Sequence, residues 1–148
     1  MFTHSKYSRY WRIQKGAILL LMTGIKGEKM YTVQAKDTAK EMDIGNVEVF
    51  STSAMIMLIE STACKSLEPY LSDGVTTISK SINVQHFCPT PIGTTVRCES
   101  ELVKIEGKNL TFEVKVHDDY GIMGAGTHER TVVDTQYFMM KALVKKEK

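Results

Sequence analysis

Cysteine is scarce in this chain: there are three in 148 residues, Cys64, Cys88 and Cys98, and no Cys-x-x-Cys pair. That argues against a disulfide framework and a cysteine zinc site, and it fits a reducing cytoplasm. The four histidines, His4, His86, His117 and His128, lack metal-ligand spacing, so no metal is expected. No Gly-x-Gly-x-x-Gly, phosphate loop, Gly-x-Ser-x-Gly or His-Glu-x-x-His is present. Dinucleotide binding, nucleotide hydrolysis and zinc proteolysis are therefore without support. The apolar run from Ala17 to Met22 is too short to span a bilayer, and no Ala-x-Ala cleavage signal follows it. Acids are absent from residues 1–21, where Lys6, Arg9, Arg12 and Lys15 carry four positive charges. With these set aside, the formal +2 of the chain becomes −2, which is not a basic nucleic-acid surface.

What remains is ordinary globular sequence, 43% apolar and 24% charged, long enough for one domain with a single core. Residues 1–21, basic and aromatic, read as a loose tail, and residues 22–148 as a single domain. Lys29 to Ala35 alternates partially and predicts a strand. Asp37 to Met42 predicts one or two helical turns. Val49 to Cys64, VFSTSAMIMLIESTAC, holds one charged residue, Glu60. A helix that is apolar on every side is buried. Ser51, Thr52 and Ser53 are candidate caps for it, and Pro69 marks its end near Leu67. The rest reads as hairpin-linked strands. From Thr76 the even positions Ile78, Ile82 and Val84 share the inward face, with Ser79, Ser81, Asn83 and Gln85 on the other. Lys80 breaks that pattern. Val96, Cys98 and Leu102 continue an inward face, and Val103 with Ile105 suggests a phase change or a bulge. Leu110 to Val116 is the clearest strand, Ile122 to Asp134 the last. A helix follows from about Gln136 to Lys146. Hairpin-linked strands make an antiparallel sheet whose apolar face needs a cover. The expected architecture is α+β, one antiparallel sheet curled around one long central helix.

Four residues stand out chemically. Glu60 is a carboxylate in an apolar helix, a placement that demands a partner or a shifted pKa. His86 falls on the inward face with Ile82 and Val84, towards that helix. A lone inward histidine is most often a satisfied structural one, but a carboxylate and an imidazole that face each other suit general acid–base chemistry. Thr52 reads first as a helix cap, and its hydroxyl can also hold a water or a substrate oxygen. Eight residues separate Thr52 from Glu60, roughly 12 Å along a helix. One site can use both only across a long substrate or with a second subunit, which is a reason to expect a dimer. In Thr127-His128-Glu129-Arg130, alternation puts His128 and Arg130 on one face. The plain reading is a solvated face with cross-strand pairs; the functional one gives Arg130 a carbonyl or phosphate oxygen. The glycines before it permit close approach of a ligand or another backbone.

Three stretches, VFSTSAMIMLIESTACKSLEPYL, INVQHFCPTPIGTTV and GAGTHERTVV, resemble the hot-dog-fold thioesterases of the fluoroacetyl-CoA thioesterase type in the same order and with similar spacing. The resemblance covers roughly residues 24–142. It implies a hot-dog fold, a homodimer with acyl-CoA sites near the subunit interface, and no cofactor, since CoA is part of the substrate. It also implies a catalytic set of Thr52, Glu60 and His86, with Arg130 associated with substrate binding. A family glycine whose backbone helps to bind the thioester region is here Ser79. The aromatic-containing lid of the fluoroacetyl-specific enzyme corresponds to Ile44 to Glu48, IGNVE, which has no aromatic residue. A broader or different acyl group is therefore expected. The alternatives are a non-catalytic acyl-CoA or acyl-carrier binding module, and a hydratase or dehydratase on the same fold.

Overall fold

The computed structural model describes residues 10–12 and 18–147. Tyr10–Arg12 (β1) and Ile18–Leu20 (β2) pair antiparallel as a two-stranded sheet. The rest of the expected tail lies outside the described residues, except Leu21, which is buried. A five-stranded antiparallel sheet follows: β3 (Lys26–Thr32), β4 (Val75–His86), β5 (Thr95–Glu106), β6 (Asn109–Asp118) and β7 (Gly121–Asp134). Its order is β3-β5-β6-β7-β4. Only β5, β6 and β7 are linked by hairpins. The chain expected to turn back after β4 instead crosses the sheet, because Pro89 to Gly93 is drawn to the segment before the helix. There Phe50 N–H donates to Thr90 O at 2.8 Å, and Val49 bridges Pro91.

The central helix α1 (Thr52–Leu67) starts where the sequence places it. Ser51 is the cap: its Oγ accepts from Ala54 N–H at 3.0 Å. Pro69 follows within the turn Glu68–Tyr70. Met55, Ile59, Ala63 and Leu67 are fully buried against Val96, Leu102, Phe112 and Val116 of the sheet. Burial of each large side chain contributes about 1.5–3 kcal/mol. One expectation fails. The helix is not buried on all sides, since a single sheet covers only one. Met57 is 66% exposed, and Thr52, Ser53 and Lys65 are also exposed. Glu60 is half-buried.

Two shorter elements also shift. The strand expected at Lys29 runs instead from Lys26, because β5 offers partners as far as Glu101. The helical turns expected at Asp37 to Met42 become a 3-10 turn, Ala35–Asp37, and a hydrogen-bonded turn over Thr38 to Met42. Asp37 accepts from Tyr31 Oη (2.6 Å) and Gln34 N–H (2.8 Å), Thr38 bridges Phe50, and a single further turn closes as Met42 N–H donates to Thr38 O at 3.0 Å before Asp43 takes a positive φ. A bulge does fall at Val103 in β5. After β7, the helix α2 (Thr135–Val144) has Asp134 as its cap and buries no residue.

The phase of β4 changes within the strand. Val75 and Thr77 are buried, then the register with β7 shifts between Ser79 and Ser81, and Ile82, Val84 and His86 take the inward positions. Lys80 is the extra residue. Ile78, expected inward, therefore faces outward, and Ser79, expected outward, faces α1.

Candidate active site

Thr52 opens α1 and His86 closes β4. With Ser51 serving as the cap, the Thr52 hydroxyl is left to reach across, and its Oγ1 lies 3.0 Å from His86 Nδ1. The imidazole sits edge-on to buried Phe50, ring centroids 6.5 Å apart. Its Nε2 is buried and has no hydrogen-bond partner among the described residues. Burial pushes the His86 pKa below its ordinary value, opposed by the backbone at Cys88. A neutral imidazole held at one nitrogen and unpartnered at the other suits a general base.

Two helical turns on, Glu60 meets the other end of β4. The bulge aims Ser79 at α1, and its Oγ donates to Glu60 Oε2. The same Oγ accepts from Arg130 Nη1 at 2.9 Å. Arg130 is only 5% exposed. Its Nε donates to Thr77 Oγ1 (2.8 Å), Nη2 to Thr77 O (3.0 Å), and Nη1 also to His128 Nε2 (3.2 Å). Four of its five N–H groups are thus engaged. Burial lowers the Arg130 pKa, opposed by the nearby Cys64 and Glu60.

His128 completes this network. A carbonyl accepts only, so the 2.8 Å contact from its Nδ1 to Ser81 O puts the proton on Nδ1. Nε2 is then free to accept from Arg130. Burial lowers the His128 pKa, against the Ser81 bond that raises it. The solvated face expected for His128 and Arg130 is therefore an interior one, stacked on Phe112 with centroids 6.2 Å apart. The close approaches that the glycines of β7 permit are internal: a Cβ on Gly126 would lie 2.1 Å from Asn83 O, and one on Gly124 would lie 2.6 Å from Met55 Sδ.

Within one chain the expected residues thus form two clusters on one face, Thr52 with His86 and Glu60 with Ser79 and Arg130. Sequence reasoning missed Thr77 and the inward role of His128. The signal for His128 was its shared parity with Arg130. Among the described residues, no three His, Cys, Asp or Glu side chains gather to hold a metal ion.

Residues 33–136 match the family described as fluoroacetyl-CoA-specific thioesterase. The chain belongs to that family. The fluoroacetyl-CoA thioesterase of Streptantibioticus cattleyicolor is 38% identical over 94 residues, 64% of this chain and 68% of that protein. The solved structure of the fluoroacetyl-CoA thioesterase FlK superposes with a TM-score of 0.79 at 30% identity, covering 84% of this chain and 97% of that one. A hot-dog-like protein from Thermanaerovibrio acidaminovorans, 22% identical, shares the fold with a TM-score of 0.77, over 83% of this chain and 91% of that one. The thioesterase family fold is the hot-dog fold, and the sheet curled around α1 is its form here.

Proposed function

We propose that this protein is an acyl-CoA thioesterase, converting a CoA thioester and water into a carboxylate and free CoA. The observation that carries the reading is the Thr52–His86 pair, with its pKa-lowered imidazole, in a chain of this family. His86 takes a proton from water as the water oxygen attacks the thioester carbon. The C–S bond then breaks, and the thiolate of CoA leaves with that proton. Glu60 orients the water, or attacks first to form an anhydride that water opens. Backbone N–H groups near Ser79 stabilise the oxyanion. Arg130, with most of its donors engaged, acts by positioning Ser79 and hence Glu60.

The working unit is a homodimer. On its outer side β4 has no strand partner among the described residues, and a free edge of twelve residues is a template for pairing. Pairing of its regular stretch, 81–86, with a second copy would cover the flank of α1 that carries Glu60. Because residues 52 and 60 lie symmetrically about position 56 of α1, a two-fold related copy packed there would bring a second Glu60 towards Thr52 and His86 and complete the site across the interface. The lid segment Ile44 to Glu48 is exposed and without an aromatic ring, which supports an acyl group other than fluoroacetyl. The three free cysteines support a reducing, cytoplasmic setting. Among the described residues no helix is long and apolar enough to cross a membrane.

A panel of CoA esters assayed with a thiol-detecting reagent tests the activity. Release of free CoA from none of them would reject it. Light scattering tests the dimer, which a monomer mass would reject.

A further inference from the structure

A concave feature lies at the β4 edge of the sheet, beside α2. It is a cleft of about 550 Å³ between β4, β7 and α2, within the range of small-molecule sites. Three lysines converge on it from separate elements: Lys80 from the bulge, Lys108 from the β5–β6 turn and Lys141 from α2. None of the three forms an ion pair among the described residues. Lys80 reaches only the neutral Asn109 Oδ1, at 3.1 Å. Lys141 stands over the Tyr137 ring, 5.7 Å from its centroid. Tyr137 and Phe138 form the aromatic wall, 49% and 36% exposed. The acid in the lining, Asp134, is committed as the α2 cap, accepting from Tyr137 N–H at 2.8 Å.

Unpaired cations beside half-exposed aromatic rings suit a ligand that is both polyanionic and aromatic. They stand out because the chain beyond residue 21 carries net negative charge. The cleft also borders the catalytic network: Ser79, which bridges Glu60 and Arg130, is part of its lining. We infer that this cleft binds the adenosine 3′,5′-bisphosphate end of the CoA ester. Lysines 80, 108 and 141 neutralise the phosphates, and the base lies against Tyr137. The inference rests on the thioesterase reading. Within that reading CoA is the ligand with this chemistry, and the bulge that turns Ser79 inward sends Lys80 outward.

The test is calorimetric titration of the full chain with adenosine 3′,5′-bisphosphate. Saturable binding that weakens with added salt is expected. The triple variant Lys80→Ala, Lys108→Ala, Lys141→Ala should weaken it about 10-fold, and Tyr137→Ala about 3-fold. In hydrolysis, the triple variant should lose most of the preference for an acyl-CoA over the matching acyl-pantetheine, through KM. No saturable binding to the wild-type chain, or equal affinity in the triple variant, overturns the inference. If hydrolysis of CoA esters persists with unchanged KM in that variant, the cleft is wrong and the thioesterase reading stands. If the wild-type chain releases no thiol from any ester, that reading fails, and the titration still decides the cleft.

Discussion

Thr52 and His86, 34 residues apart in sequence, meet at 3.0 Å through Oγ1 and Nδ1 because Ser51 has taken over the capping of α1. The two neighbours therefore separate by experiment. Ser51→Ala should cost about 1 kcal/mol of stability, read by urea unfolding, with little effect on kcat. Thr52→Val should leave the melting temperature nearly unchanged and slow hydrolysis about 10–100-fold, with Thr52→Ser restoring most of it.

Glu60→Ala and His86→Ala should each reduce hydrolysis by about 10²–10⁴-fold. Mixing the two inactive variants discriminates further. If each site takes Glu60 from one copy and His86 from the other, re-equilibrated mixed dimers carry one intact site, and about a quarter of wild-type activity returns. No recovery after confirmed subunit exchange would place both groups in one chain.

Arg130→Met should destabilise the fold by about 3 kcal/mol, since Thr77, Ser79 and His128 lose their shared partner in the interior. Arg130→Lys should recover little of this, because an ammonium cannot reach three partners in a plane. Chemical unfolding of both variants checks the claim.

Acid should weaken the protein through its histidines. His128 and His86 have folded pKa values below the ordinary 6.5, both through burial. The unfolded chain takes up those protons near pH 6.5. Below that pH the unfolded state binds more protons, so stability falls as the pH drops and is fully present above about pH 7. The urea midpoint at pH 5.5 should lie below that at pH 7.5, and the gap should narrow in His128→Asn. The acid limb of hydrolysis, set by His86 as base, should lie below pH 6.5.

Much of this was legible in the sequence. The limits of α1 follow from Ser51 and Pro69, and the alternation of Leu110, Phe112, Val114 and Val116 sets the inward face of β6. Thr52, Glu60, His86 and Arg130 each stand out by residue type and position. What was not legible depends on partners far along the chain. The phase of β4 before Lys80 is fixed by pairing with β7, not by its own residues. His128 and Arg130 look like a wetted face until Thr77 and Ser81 supply bonds that make burial tolerable. The exposed side of α1 mixes Met57 with Thr52, Ser53 and Lys65, and sequence alone does not say which flank the sheet leaves open.

Ser79 and His86 lie seven positions apart on one strand, an odd interval that regular pleating would send to opposite surfaces. The single inserted lysine reconciles them. Deleting Lys80 would leave an even interval and keep both on one surface, whereas pairing Lys80 into a regular ladder would rotate one end of the strand by half a turn. Either Glu60 would lose its serine or Thr52 its imidazole, though no side chain in either cluster had been touched. Parity along this strand is thus as much a part of the machinery as the groups it carries.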